Sequence, residues 1–261
     1  MKQLQGIKIG AYQLRILAIS GSQREGNTFS ILNSLKEEFP NINYEILMLK
    51  DMNLKDCYGC YTCINRGPEY CPLKDDRDVI LKKIEDADGV VFATPTNTRH
   101  VSALMKKFID KFGYIAHRPY FFDKYAMSIA TCKGFGADLA NEYISSNLGQ
   151  FGFNMISSLD IYISTKSKAE TQYNKEQTVK AFKKLISTIQ KGERFKPQFG
   201  YLVYFHIMKA TSELNKKEGV ADYEYYKNKT NYYYDVKIPF YKMRFAKWIA
   251  GKEIKKFVAN K

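Results

Sequence analysis

Short apolar runs alternate with longer amphipathic stretches along residues 14 to 190. The apolar runs predict five strands, at Leu14–Ser20, Tyr44–Leu49, Gly89–Thr94, Tyr125–Thr131 and Ile156–Ile163. The amphipathic stretches predict five helices, at Asn27–Glu38, Asp75–Ala87, Val101–Ile115, Ala137–Leu148 and Thr171–Gln190. Strands with little apolar–polar alternation are typical of burial on both faces. The pattern therefore predicts an α/β fold, a doubly wound five-stranded parallel sheet covered by helices.

Beyond Gly192 the pattern changes. Tyr201–Leu214 predicts a helix, Asp222–Tyr234 is crowded with tyrosine, and Phe240–Phe257 mixes aromatic residues with cations. The net charge of +14 is concentrated here, since residues 191–261 hold 16 Lys and Arg against 7 Asp and Glu. We therefore expect one domain over residues 1–192 and a basic, aromatic-rich, mainly helical extension over residues 193–261.

The composition is that of an ordinary folded protein. Hydrophobic residues make up 45% and charged residues 26% of the 261 positions. No apolar run approaches the roughly 20 residues that span a bilayer. Met1–Gln13 has no apolar block before a small-residue cleavage site, so we expect no signal peptide and a cytoplasmic protein.

A hydroxyl-rich, glycine-bearing segment, residues 20–28, follows the first predicted strand and opens the first predicted helix. Backbone N–H groups at a helix N-terminus bind phosphate, and a glycine turn keeps the approach open. The side chains that add hydrogen bonds or charge are Ser20, Ser22, Arg24, Asn27 and Thr28. The segment predicts a phosphate-binding loop. The alternative is a helix capped by Asn27 or Thr28 without any ligand.

The same segment lacks two common nucleotide signatures. No Lys follows Gly26, as a Walker A loop requires, and the three-glycine dinucleotide fingerprint is missing. A hydroxyl-rich loop for a terminal phosphate points instead to a mononucleotide such as FMN.

Four of the five cysteines lie within residues 57–71, the cysteine segment, spaced Cys57-x2-Cys60-x2-Cys63-x7-Cys71 and followed by proline. A similar thiolate run with a terminal proline holds bacterial [4Fe-4S] clusters. Zinc, a redox-active thiol pair and an unliganded loop are the alternatives. We expect Cys132 to be a packing residue. His100, His117 and His206 have no metal-ligand spacing.

Residues 20–28 resemble the G-S-x-R-x-G-N-T phosphate loop of the NADPH-dependent FMN reductase family. Residues 94–98 and 101–110 resemble the family's second flavin loop and the helix after it. The cysteine spacing is close to that of the iron-sulfur flavoproteins, a branch of the same family. The resemblance covers about residues 14 to 190 and implies a flavodoxin-like fold, bound FMN and a homo-oligomer.

The resemblance also implies which residues surround the flavin. Ser20, Ser22, Arg24, Asn27 and Thr28 would contact the phosphate. Pro95, Thr96, Asn97 and Thr98 would lie beside the ring, although many members have an aromatic residue directly after the proline. Thr131, Gly134 and Gly136, in a third loop, would approach the far side of the ring. The metal ligands would be Cys57, Cys60, Cys63 and Cys71. No catalytic side chain is expected, because flavin N5 carries the chemistry.

Our leading functional hypothesis is an FMN oxidoreductase. It would take electrons from NAD(P)H or a reduced carrier and pass them to an acceptor, with a [4Fe-4S] cluster as a relay where one is present. The alternative is a non-catalytic iron-sulfur flavoprotein electron carrier that docks ferredoxin. A third hypothesis is a flavin-binding structural or sensing protein anchored by its extension.

The basic extension has three interpretations. Residues 241–249 predict an amphipathic helix with a cationic face, suited to peripheral membrane contact. The same charge would steer an acidic partner such as ferredoxin. The interpretation that we favour from the sequence is packing across the domain or a neighbouring subunit, because aromatic residues usually bury themselves. We expect no nucleic acid partner, since no binding fold accompanies the charge.

Overall fold

The computed structural model describes residues 13–165 and 167–259. Its strands are β1 (Arg15–Ser20), β2 (Asn43–Met48), β3 (Gly89–Asn97), β4 (His100–Val101), β5 (Tyr125–Cys132) and β6 (Asn154–Tyr162). Five of them form a parallel sheet in the order β2-β1-β3-β5-β6, and β4 pairs antiparallel with the end of β3. The predicted doubly wound parallel sheet is thereby confirmed.

Helices cover both faces of this sheet. They are α1 (Asn27–Glu38), α2 (Thr62–Asn65), α3 (Arg77–Asp86), α4 (Ala103–Lys111), α5 (Tyr114–His117), α6 (Ala137–Phe151) and α7 (Lys168–Lys191). One buried cluster joins the sheet to α3, α4 and α6, with Ile84, Phe108 and Leu148 among its members. A second joins the other face to α1 and α7, through Leu35 and Phe182. Burial on both faces explains why the central strands β1, β3 and β5 are mostly apolar.

The carboxyl ends of the central strands meet at one edge of the sheet. Ser20 at the end of β1 pairs with Ala93 of β3, which pairs with Ile129 of β5. The chain passes from β1 outward to β2 and then returns to the other side of β1 as β3, so the strand order reverses there. Ligands of open α/β sheets bind at this reversal, outside the carboxyl ends.

The helix predicted over Val101–Ile115 is wrong in its extent. Val101 belongs to β4, and α4 begins only at Ala103, after an extended Ser102 whose Oγ accepts the Met105 N–H at 3.2 Å. The helical pattern is interrupted again after Lys111, and α5 is a separate short helix. Apolar periodicity continues through both breaks, because Val101 and Ile115 are buried although neither belongs to α4.

The C-terminal region is helical, as predicted. It contains α8 (Phe199–Leu214), α9 (Val220–Tyr226) and α10 (Phe240–Ala259). These helices share a buried cluster of their own, which includes Leu202, Phe205, Tyr226 and Ala246. The tyrosine-rich segment is helical only as far as Tyr226. The boundary between residues 1–192 and 193–261 stays a prediction.

Among the described residues, no helix is long and apolar enough to cross a membrane. Residues 1–12, on which the prediction about a signal peptide largely rests, lie outside the described residues.

Candidate functional site

The predicted phosphate loop lies at the sheet edge where the strand order reverses. The Gly21 N–H donates to the Ala93 carbonyl at 2.8 Å, which ties the loop to β3. The helix α1 begins at Asn27, directly after Gly26, a residue with no side chain to cap it. The first N–H groups of a helix have no partner within the helix. They therefore face the approach of a ligand, as an anion site requires.

The hydroxyl groups of this loop are less free than the sequence suggests. Ser22 Oγ donates to the Arg24 carbonyl at 2.7 Å, and Ser20 Oγ accepts the Ser22 N–H at 3.3 Å. Thr28 Oγ1 pairs with Thr131 Oγ1 at 2.6 Å. These hydroxyls shape the loop, which leaves the N–H groups at the start of α1 and the exposed side chains of Arg24 and Asn27 as the open donors.

The second predicted loop is a tight hairpin between β3 and β4. Its two tip residues, Thr98 and Arg99, have positive φ angles of 49° and 64°. Residues other than glycine rarely adopt this conformation, and such strain gathers at functional sites. Pro95 and Thr96 are half-buried, and Asn97 is exposed.

The third predicted loop follows β5 and contacts the other two. Thr131 meets Thr28 of the phosphate loop, as described above. Gly136 has a φ of 93°, and a Cβ placed on it would lie 2.5 Å from the Arg99 Cα in the hairpin. Only glycine permits this approach. The structure thus brings the three predicted loops together. A Cβ placed on Gly134, in contrast, would meet nothing within 4 Å.

Ser102 is a site residue that the sequence analysis missed. Its Oγ donates to the Gly21 carbonyl at 2.6 Å and caps α4, while its N–H donates to Thr94 Oγ1 at 3.0 Å. A Cβ on Gly21 would lie 2.8 Å from this Oγ. One buried serine therefore joins the phosphate loop to the second loop. The only signal for Ser102 in the sequence is a serine next to a run of helical spacing. That signal indicates a helix cap, but it does not reveal the contact with Gly21.

The loops fit the phosphate and ring of a flavin mononucleotide. The open N-terminus of α1 suits the phosphate, and Arg24 adds a positive charge beside it. Thr96 Oγ1 is buried and has no hydrogen-bond partner within residues 13–165 and 167–259. Buried hydroxyls normally have a partner, so this one is available to a polar edge of a ligand.

The cysteine segment follows β2 and extends from the same edge of the sheet. Cys57 and Cys60 are exposed, and Cys63 and Cys71 are half-buried. Burial raises the pKa of Cys63, and the other three thiols raise it further, so the four share one neighbourhood. A hydrogen bond with Thr62 lowers the pKa of Cys60.

The four thiols are not assembled around a common point. Within the described residues, no three His, Cys, Asp or Glu side chains are placed so that they could hold a metal ion. The arrangement of the cysteine segment in this structure therefore does not fit a metal cluster, and the segment would have to close to bind one.

The base of the cysteine segment is fixed by a buried ion pair. Lys111 Nζ lies 2.7 Å from Asp75 Oδ2, with the two side chains 2% and 1% exposed. Asp75 also accepts the N–H groups of Lys55 and Arg77. Burial alone would raise the pKa of Asp75, but the Lys111 ammonium and these N–H groups outweigh it and lower the pKa. The two ends of the segment are thereby held together.

The last helix, α10, carries three exposed aromatic side chains, Tyr241, Phe245 and Trp248, which we call the aromatic ridge. Ala246 and Ala250 are buried against the rest of the extension, whereas Tyr241, Phe245 and Trp248 are 69%, 52% and 54% exposed. The rings of Phe245 and Trp248 stack at 5.6 Å. Packing within this chain accounts for part of the ridge, because Phe245 also stacks on Phe199 of α8 at 5.5 Å. It leaves Tyr241 and Trp248 exposed, and packing against a neighbouring subunit stays a prediction.

Comparisons with known proteins agree with the fold. The family model for NADPH-dependent FMN reductase matches residues 14–168. Two iron-sulfur flavoproteins, from Archaeoglobus fulgidus and Methanocaldococcus jannaschii, are 36% and 40% identical over 100 and 103 residues, each 38% of this chain. The chain spans about half the length of these relatives, 48% and 51%.

A solved structure extends the likeness into the C-terminal region. RosB with bound 8-demethyl-8-formylriboflavin-5'-phosphate aligns with 87% of this chain and 92% of its own, with a TM-score of 0.54 and 14% identity. At that identity the likeness shows the fold alone. The family model covers more than half of the chain, over the sheet and all three loops. The chain belongs to the NADPH-dependent FMN reductase family.

Proposed function

We propose that this protein is a flavin-dependent oxidoreductase that binds FMN between the phosphate loop, the β3–β4 hairpin and the loop after β5. The observation that carries the proposal is the uncapped start of α1, which lies where the strand order reverses. Backbone donors at a helix N-terminus bind phosphate at such an edge. Membership of the family supports the same cofactor.

The residues of the chain would act by holding and orienting the flavin. N–H groups of the first turn of α1 and the Arg24 guanidinium would bind the phosphate. Thr96 Oγ1 would meet a polar edge of the ring, and the Thr98–Arg99 tip would limit the approach to it. When bound, FMN supplies hydride and single-electron chemistry at its ring. The protein contributes position and electrostatics.

A pair of glycine variants tests the site. In Gly21→Ala the new Cβ would collide with Ser102 Oγ and with Met105 Cβ, at 2.8 and 2.9 Å. We expect FMN affinity to fall at least about tenfold, because a displacement that costs 1.4 kcal/mol is enough for that change. Gly200→Ala is the matched control, since nothing lies within 4 Å of its new Cβ. Equal FMN affinity in both variants would contradict the proposed site.

We propose NAD(P)H as the electron donor, in line with the family, with reduced ferredoxin as the rival donor of a pure electron carrier. Anaerobic stopped-flow mixing separates the two hypotheses. Prompt bleaching of flavin absorbance by NADPH or NADH supports the reductase. Bleaching only by reduced ferredoxin supports the carrier.

We also propose that the cysteine segment closes around an iron-sulfur cluster. The cysteine spacing and the similarity to proteins named iron-sulfur flavoproteins support it. Anaerobically purified protein is then expected to contain iron and sulfide, and Cys71→Ser to lose them. Cys132→Ser is the control, because Cys132 is buried at the end of β5 and does not belong to the segment. If the purified protein contained flavin but no iron, the cluster proposal would fail and the protein would be a simple FMN reductase.

We propose that the aromatic ridge of α10 contacts an anionic membrane surface. Residues 240–259 hold six Lys and Arg against one Glu, and Lys252 lies 3.7 Å from the Trp248 ring centre. Exposed aromatic residues among cations are typical of helices that lie in a membrane interface. The like charge disfavours a second α10 as the partner.

Trp248 is the single tryptophan, so its fluorescence reports directly on the ridge. We expect its emission to shift to the blue with phosphatidylserine vesicles and to stay unchanged with phosphatidylcholine vesicles. A shift caused by an acidic ferredoxin-type protein and by neither kind of vesicle would contradict the membrane proposal. A concentration-dependent shift without vesicles would indicate the homo-oligomer and contradict it too.

A further inference from the structure

The helix that carries Cys63 has little of its own to hold it in place. Helix α2 has four residues, none of which is fully buried. The chain enters it through Gly59 and Tyr61 and leaves it through Gly67, all three with positive φ angles of 63°, 56° and 131°. A single helical turn is unstable in isolation. Its position must therefore be set by contacts from elsewhere.

Arg118 provides those contacts. This residue follows α5, 55 positions along the chain from Cys63. Its Nη2 donates to the Cys63 carbonyl at 2.5 Å, and its Nη1 donates to the Ile64 carbonyl at 2.8 Å. A guanidinium is a planar fork, so two bonds to consecutive carbonyls fix both position and orientation. Two consecutive backbone carbonyls of α2 are thus held by one side chain.

Arg118 is in turn held by the C-terminal extension. Asp222 of α9 pairs with Arg118 through Oδ1 and lies 2.8 Å from His117 Nδ1 through Oδ2. The Arg118 and Asp222 side chains are only 11% and 12% exposed. Removing one member of a largely buried charge pair leaves the other uncompensated, which is costly. The guanidinium depends on Asp222 for its charge balance.

Tyrosines of the extension support the same contact. Tyr226 Oη donates to the His117 carbonyl at 2.7 Å, and Tyr204 Oη donates to the Ala116 carbonyl at 3.3 Å. Tyr225 Oη donates to the Pro119 carbonyl. Three hydroxyl groups of the extension therefore bond to backbone carbonyls on either side of Arg118. The extension thus fixes the part of the chain whose side chain contacts α2.

We propose that the C-terminal extension is a clamp for the cysteine segment, in which Asp222 acts through Arg118 as a positioning residue for Cys63. The clamp controls how far the thiols open to solvent and to reagents. It is independent of flavin binding, because none of its contacts involves the three flavin loops. The clamp gives the C-terminal extension a role in positioning the cysteine segment that residues 14–190 do not fulfil.

Thiol reactivity tests the clamp directly. Alkylation by iodoacetamide, followed cysteine by cysteine with mass spectrometry, is compared between the full-length protein and Asp222→Asn. We expect Cys63 to react at least about tenfold faster in the variant, the effect of 1.4 kcal/mol lost from local closure. Glu224→Gln is the matched control, an exposed carboxylate on the same helix that pairs only with Lys227 among the described contacts. It should leave the rate unchanged.

Two further results decide the outcome. Buried Cys132 reports general unfolding, so a rate that rises equally at Cys63 and Cys132 would overturn the clamp. Arg118→Lys keeps the positive charge that pairs with Asp222 but lacks the planar fork. We expect Cys63 to be alkylated faster in this variant, while the melting transition of the extension is retained. This variant keeps the test decisive if Asp222→Asn fails to fold. An unchanged Cys63 rate in folded Arg118→Lys would overturn the proposal.

Discussion

The flavin loops and the cysteine segment lie at the same edge of one sheet, yet they are held in different ways. The flavin loops are short and buttress one another through Ser102, Thr131 and Gly136. The polar contacts described for the cysteine segment hold it at its base, through Lys111 and Asp75, and at α2, through Arg118, which pairs with Asp222 of the extension. A cofactor loop that is preorganised binds without rearrangement, whereas a thiol segment held from outside can open and close.

The largest effect is expected at the base of the cysteine segment. Lys111→Met leaves the Asp75 carboxylate buried and unpaired, which costs about 3–5 kcal/mol of unfolding free energy. Urea denaturation followed by circular dichroism measures the loss. Lys82→Met, from an exposed ion pair with Asp86, should change stability far less. A loss of less than about 1 kcal/mol for Lys111→Met would show that the base is not a fixed point of the segment.

Within the flavin loops, two glycines of one turn make a matched pair. Gly136→Ala combines a φ of 93° with a Cβ only 2.5 Å from the Arg99 Cα. We expect it to lose roughly 1–3 kcal/mol of stability and to weaken FMN binding. In Gly134→Ala the new Cβ meets no protein atom within 4 Å, so the stability should stay unchanged. Similar melting temperatures for both variants would mean that the loops do not buttress one another.

Acid should loosen the extension before the sheet. Burial, together with the nearby positive charges of Lys247 and Lys209, lowers the pKa of His206 to about 4. The unfolded chain takes up this proton near pH 6.5, so the folded state loses up to about 1.4 kcal/mol per pH unit as the pH falls from there toward 4. Hydrogen exchange at pH 7 and pH 5 measures the change. The prediction would be contradicted if the amide groups of β1 and β3 lost their protection at pH 5 while those of α8 and α10 kept theirs.

A smaller effect is expected at the link between the first two flavin loops. Ser102→Ala removes the α4 cap and the bond to the Gly21 carbonyl, at a cost of about 0.5–2 kcal/mol. Ser30→Ala removes an exposed bond to the Gly26 carbonyl and serves as the control. Melting temperature and FMN affinity should both fall in Ser102→Ala. A change in stability alone would make Ser102 a cap without a part in the site.

Local patterns predicted most of the sheet and its helices, because each buried strand is a short apolar run bounded by polar residues. They also placed residues 20–28 between β1 and α1, as the structure has them. The interruption of Val101–Ile115 was missed, since the apolar spacing continues across Ser102 and Lys111 while the backbone does not. Hydrophobic periodicity reports burial, and a buried residue outside a helix carries the same signal as one inside.

Long-range contacts were beyond the sequence analysis for a physical reason. Arg118 and Asp222 are 104 positions apart, and Ser102 and Gly21 are 81 apart. Nothing in the local pattern of either residue records its partner. His117 has no metal-ligand spacing in the sequence, and its contact with Asp222 appears only in the structure. The extension was predicted as basic and helical, but its grip on the cysteine segment depends on the folded arrangement.

The proposed oxidoreductase function depends above all on the loop between β1 and α1, which we expect to bind the phosphate of a flavin. The most direct measurement is a fluorescence titration of the flavin-free protein with FMN and, in parallel, with riboflavin, which lacks the phosphate. Two charge-assisted hydrogen bonds of about 1.5 kcal/mol each correspond to at least about a hundredfold tighter binding of FMN. Equal affinities for the two flavins, or no binding of either, would contradict the account.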